Sequence, residues 1–109
     1  NCSMMGGLVK AYDPNNSHSD EPLAWPLKAN LDDLKGLPPH VITVNELDPL
    51  RDEGLMYFRK LLNAGVSAIC RTIHGTPHGG DMGFPDINPD TYADSLRSVA
   101  GFALSLGSK

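Results

Sequence analysis

Only two cysteines, Cys2 and Cys70, occur among the 109 residues, and neither falls in a C-x-x-C metal spacing. One pair cannot supply the disulfide framework of a small secreted domain, so both are expected to be free thiols, which favours a reducing compartment, the cytoplasm. No apolar run approaches the roughly 18 to 20 residues that cross a bilayer. The polar start NCSMMGGLVK also lacks the charged-then-apolar order of a signal peptide. A membrane span is therefore not expected. Runs of one charge sign are missing as well: nine Lys and Arg are interspersed with thirteen Asp and Glu for a net charge of -4, which argues against nucleic acid as a partner. There is no initiator Met, and MMGGLVKAY reads as the middle of something longer, although a processed amino terminus would look the same.

The 40% apolar content is that of a globular protein, and the length allows one small core. Met4, Met5, Leu8, Val9 and Tyr12 have helical spacing, weakened by Gly6 and Gly7. DPNNSHSDEPLAWPLKAN, residues 13 to 30, carries three prolines amid Asn, Ser and Asp and reads as an irregular surface connection, with Trp25 as a packing anchor. LDDLKG, residues 31 to 36, predicts one helical turn closed by Gly36.

Residues 39–109 carry the clearer pattern. HVITVNEL, residues 40 to 47, is a β-branched run bounded by Pro39 and by Asp48-Pro49, and predicts a buried strand. Leu55, Phe58, Leu61 and Leu62 give residues 50 to 64 a helical apolar face that Gly65 should end, while Asp52 and Glu53 suit the positive end of the helix dipole. VSAICRTIH, residues 66 to 74, predicts the next strand, and HGTPHGGDMGFPDINP a loop. Asn88 and Pro89 then open a helix with Tyr92, Leu96, Val99, Ala103 and Leu106 on one stripe. Strand, helix and strand form a βαβ unit with parallel strands and a right-handed crossover, so the fold class is α/β. Two parallel strands alone leave open edges and little core, so the chain looks like part of a domain.

Parallel strands end on the same side of a sheet, about 4.8 Å apart when adjacent. A carboxylate just past residue 47 and an imidazole a few residues past 74 can therefore meet, which pairs Asp48 with His78 across thirty residues. Such a pair serves nucleophilic catalysis: the carboxylate accepts the hydrogen bond from Nδ1–H and fixes the tautomer, leaving Nε2 to draw a proton from a nucleophile. No serine stands in a G-x-S-x-G elbow, no HGGG-type oxyanion loop is present, and Cys70 falls inside a predicted strand. Other readings stand beside this one. Asp48-Pro49 is also an ordinary helix opening, and His78 in a Gly- and Pro-rich loop is also an ordinary surface histidine. His74, His78 and Asp81 suggest a metal, but Gly75 and Pro77 break the helix that H-x-x-x-H would need. His18 and His40 receive no role. Met82 and Phe84 lie where they could line an acyl pocket or simply anchor their loop.

NELDPLRDEG followed by HGTPHGGD, with His78 thirty residues past Asp48, and a final amphipathic helix resembles the carboxy-terminal part of an α/β-hydrolase esterase of the hormone-sensitive-lipase family. LVKAYDP and DEPLAWP are similar to the stretch preceding that motif in bacterial members grouped with brefeldin A esterase. The resemblance implies a partial α/β-hydrolase fold, the last βαβα portion of a mostly parallel sheet, spanning residues 1–109 with a helix and irregular connection at 1–38. It also implies Asp48 and His78 as acid and base of a Ser-His-Asp triad acting on small-molecule esters, short-chain acyl esters being the family expectation, without metal or organic cofactor. The serine and oxyanion glycines would lie on an amino-terminal segment of the same enzyme. The rival reading is a hydrolase-like fragment that binds or assembles without turnover, and a third is a metal-dependent hydrolase built on His74 and His78.

Overall fold

The computed structural model describes residues 2–107, and the side chains of Cys2, Ser3 and Met4 lie outside what it describes. The chain forms helix α1 (Cys2–Tyr12), a 3-10 turn (Pro26–Lys28), α2 (Leu31–Leu34), strand β1 (His40–Asn45), α3 (Arg51–Asn63), strand β2 (Ala68–Ile73), the short α4 (Gly80–Gly83) and α5 (Pro89–Gly107). It divides into two compact units, residues 1–42 with 52–70 and residues 43–51 with 71–109. No described helix is long and apolar enough to cross a membrane.

The two strands are hydrogen-bonded neighbours. Their partners advance together along the chain, His40 N–H to Ser67 O at 2.9 Å and Glu46 N–H to Ile73 O at 2.9 Å, which is the parallel arrangement. Both strands are shorter than their β-branched runs predict. β1 stops at Asn45 because Asp48 N–H donates back to Asn45 O and closes a turn over Glu46 and Leu47, and β2 starts at Ala68 because Val66 N–H is spent on Leu61 O, finishing the helix before it.

The first unit holds the apolar core. Leu61 is fully buried and packs with Ala29, Leu34 and Val66, and Ile42, Tyr57, Ala64 and Ala68 lie against that cluster. The helical face predicted for α3 is present through Leu55, Phe58 and Leu61, but Leu62 stands exposed on its edge. Asn30 and Asp33 cap α2 reciprocally, and Lys60 ties the segment before it to α3 by donating to Leu27 O and Ala29 O. In the irregular connection, Asp13 is 2% exposed and accepts from Trp25 Nε1 at 3.3 Å and from His18 N and Nδ1 at 3.1 and 3.3 Å. Trp25 also stacks edge-on to Tyr12, so it does anchor the segment.

In the second unit α4 packs against α5. α5 begins at Pro89 as its cap predicts, yet the buried residue is Ser95, flanked by half-buried Thr91, Ser98 and Phe102. The predicted stripe is offset from this side, with Leu96, Val99 and Leu106 exposed.

Candidate active site

The second unit brings Asp48 and His78 together. β1 releases the chain at Asn45 and β2 at Ile73, and Leu47 N–H donates to Thr76 O at 3.0 Å, so the segments past both strand ends are laced side by side. Asp48 Oδ2 accepts a hydrogen bond from His78 Nδ1 at 2.8 Å, while Asp48 Oδ1 accepts the Leu50 N–H at 2.9 Å. The carboxylate thus does both jobs left open by the sequence: one oxygen orders the turn into α3, the other holds the ring. Its side chain is 9% exposed whereas the imidazole is 71% exposed. Burial pushes the Asp48 carboxyl up, but the Leu50 N–H, the His78 hydrogen bond and the His78 charge together hold it below the usual carboxylate range. An anionic acceptor that fixes Nδ1–H is the arrangement that makes Nε2 a base.

A second carboxylate and imidazole pair lies beside the first. Glu46 Oε1 accepts the Gly75 N–H at 2.9 Å and Oε2 accepts from His74 Nδ1 at 2.8 Å. These two bonds, led by Gly75, lower the Glu46 carboxyl against the opposing effect of burial. His74 and His78 therefore each take a separate carboxylate. Among the described residues no group of three or more His, Cys, Asp or Glu is placed to hold a metal ion.

The loop after β2 is more structured than its glycines and prolines suggest. α4 runs through it from Gly80 to Gly83, preceded by Gly79 in the left-handed conformation at φ 68°. Met82 lies on α4 and Phe84 at its end, and both are about half exposed. Below the loop, buried Thr76 donates to Asn45 Oδ1 at 2.6 Å, Asn45 Nδ2 donates to Asp81 at 3.3 Å and Ser95 Oγ to Asp81 at 3.4 Å. The sequence pointed to none of Asn45, Glu46 and Thr76; the available signal was their place in NELD and HGTPH, beside the two residues it did single out. Cys70 is free and lies within β2, where burial pushes its thiol up and disfavours the reactive thiolate. Cys2, the other expected free thiol, has a side chain outside the described residues.

Comparison with known proteins places the chain in a family. Residues 2–82 match the family described as alpha/beta hydrolase fold. Vegetative-specific protein H5 of Dictyostelium discoideum is 41% identical over 99 residues, covering 87% of this chain and 26% of that protein. Human hormone-sensitive lipase is 40% identical over 58 residues, 53% of this chain and 5% of its own length. The structure of brefeldin A esterase, described as a bacterial homologue of human hormone sensitive lipase, superposes with a TM-score of 0.85 at 50% identity, over 88% of this chain and 27% of that one. The chain thus spans about a quarter of the length of the esterase and of H5. With three quarters of its residues inside the family match and its strand-end carboxylate and imidazole in contact, the chain belongs to the alpha/beta hydrolase fold family, among the esterases and lipases related to hormone-sensitive lipase.

Proposed function

We propose that this chain supplies the acid and base of a Ser-His-Asp relay for carboxylic ester hydrolysis, completed by an amino-terminal segment that carries the serine and the oxyanion hole. The observation that most supports this reading is the 2.8 Å contact from His78 Nδ1 to Asp48 Oδ2, with the other Asp48 oxygen already occupied by Leu50. In the acylation half, His78 Nε2 takes the serine hydroxyl proton as that oxygen attacks the ester carbonyl. The same proton passes to the departing alkoxide oxygen when the tetrahedral intermediate collapses, releasing the alcohol. Water then replaces the alcohol: Nε2 takes a water proton as the hydroxyl adds to the acyl-serine, and returns it to the serine oxygen as the carboxylic acid leaves. Asp48 stays ionised throughout and stabilises the imidazolium. Met82 and Phe84 offer apolar surface near the base for a short acyl group. No step calls for a metal or organic cofactor, and the free Cys70 thiol suits a reducing compartment such as the cytoplasm.

The test is complementation. The 109-residue chain is assayed with p-nitrophenyl acetate alone and again with the amino-terminal portion of the enzyme added. Turnover that appears on mixing and is abolished by His78→Ala supports the relay. Assembly without turnover would instead favour a binding element, and turnover that a chelator stops would favour the metal-dependent alternative.

A further inference from the structure

Three nearly closed-off polar residues, Asn45, Thr76 and Ser95, at 6%, 3% and 2% exposure, are hydrogen-bonded to one another or to Asp81 at the loop that carries His78. A buried polar group left without a partner is costly, so their pairing fixes geometry more firmly than a surface contact would. The direction of each bond follows from Asp81, whose carboxylate only accepts. Asn45 must therefore turn Nδ2 toward Asp81 and Oδ1 toward Thr76, and the Thr76 hydroxyl must donate. At 2.6 Å the Thr76 bond to Asn45 is the shortest in the set, and Ile73 O at 2.8 Å is a second acceptor for the same hydroxyl hydrogen. Thr76 is also held through its backbone, since its carbonyl accepts the Leu47 N–H.

Only Pro77 separates Thr76 from His78. Proline fixes its own φ near -65° and confines the preceding residue to extended backbone. The chain therefore has little slack between the Thr76 anchor and the imidazole. Asn45 and Asp48 leave the same strand end three residues apart, so a bond from Thr76 to Asn45 sets the distance from His78 to Asp48.

We propose that Thr76, through its hydrogen bond to Asn45, is a positioning residue for His78, holding the ring where Nδ1 meets Asp48. The inference rests on the reading of Asp48 and His78 as acid and base, but its test does not depend on turnover alone. Thr76→Val removes the hydroxyl at nearly constant shape, and Thr76→Ser retains it. The first readout is the long-range proton–nitrogen spectrum of the His78 ring in the 109-residue chain, which reports whether Nδ1 or Nε2 bears the proton. The second is kcat and KM for p-nitrophenyl acetate in the complete enzyme.

T76V is expected to lose most of the Nδ1–H form and to lower kcat by about tenfold, the factor corresponding to one buried hydrogen bond, with KM within about twofold. T76S is expected to restore both. If T76V does not fold, Thr76→Ala and Asn45→Ala break the same bond and are read the same way. A folded T76V that keeps the wild-type tautomer and kcat overturns the proposal, as does T76S behaving like T76V. Absence of ester turnover in the wild-type enzyme would count against the proposed function, while the tautomer comparison would still decide the role of Thr76.

Discussion

Replacing Gly80 with alanine probes how tightly the His78 loop is built. Gly80 is buried at the start of α4, and its N–H donates to Pro77 O at 2.8 Å, closing a turn whose inner residues are His78 and Gly79. A Cβ at this position would lie 2.7 Å from Pro77 Cδ, 3.0 Å from Thr76 Cβ and 3.3 Å from Pro77 Cγ. Carbon atoms rest at about 3.5–4.0 Å, so the proline ring would have to retreat by roughly 1 Å. It cannot swing aside as a long side chain would, because the ring is closed on its own backbone. Overpacking of this kind costs about 1–3 kcal/mol. At about 4–8 °C per kcal/mol for a domain of this size, the unfolding midpoint should drop by roughly 4–24 °C. The same displacement, applied one residue before His78, would stretch the contact to Asp48 beyond the hydrogen-bonding limit of about 3.2 Å. Thermal unfolding followed by circular dichroism measures the first effect and the His78 ring spectrum the second. An alanine variant that melts within about 2 °C of wild type and keeps its Nδ1–H signal would refute the steric argument.

Two further perturbations test other parts of the structure. Leu61→Ala empties a fully buried position between Ala29, Leu34 and Val66, and should cost about 2–5 kcal/mol in urea unfolding; a loss under about 1 kcal/mol would mean that the cluster does not pack as described. Asp13, Glu46 and Asp48 all have carboxyls held below their ordinary values: for Asp13 and Asp48 burial is the largest single effect and pushes upward, but the hydrogen bonds and the neighbouring histidine's charge together exceed it, and for Glu46 the Gly75 bond dominates. A depressed folded value contributes stability above the unfolded carboxylate range, near about pH 4, and that contribution is lost as pH falls through the lower folded values. Denaturant midpoints should therefore decline below about pH 4, and a protein that becomes more stable on acidification through that range would contradict the hydrogen bonding at these carboxylates.

What the sequence made legible was what repeats or what punctuates. β-branched runs marked both strands, helical spacing and Gly65 marked α3, and Asn88-Pro89 marked α5, so the βαβ frame and the meeting of Asp48 with His78 followed from strand geometry. Less visible was anything decided by a partner distant in the chain. Apolar periodicity selects Leu96 and Val99 as the inner side of α5, yet Ser95 is buried because its hydroxyl reaches Asp81. The polar composition of residues 13 to 30 correctly indicates an irregular segment and hides Asp13, whose burial depends on Trp25 twelve residues away. α4 escaped notice because a four-residue helix opening and closing on glycine has no periodicity to detect. Glu46 and Thr76 carry no motif of their own, and their bonds to Gly75 and Asn45 become apparent only once the two strand ends lie side by side.

The central claim is that Asp48 accepts the hydrogen bond from His78 Nδ1–H and so leaves Nε2 as the base, and Asp48→Asn tests it most directly. Because Asp48 Oδ1 is engaged by the Leu50 N–H, an asparagine should keep its carbonyl oxygen there and turn its NH2 toward the ring. Nδ1 would then have to accept, which moves the proton to Nε2. The ring nitrogen spectrum of His78 at neutral pH should show Nδ1–H in the wild type and Nε2–H in the variant, with kcat of the complete enzyme reduced about 10³–10⁴-fold. An unchanged tautomer together with kcat within about twofold of wild type would contradict the account.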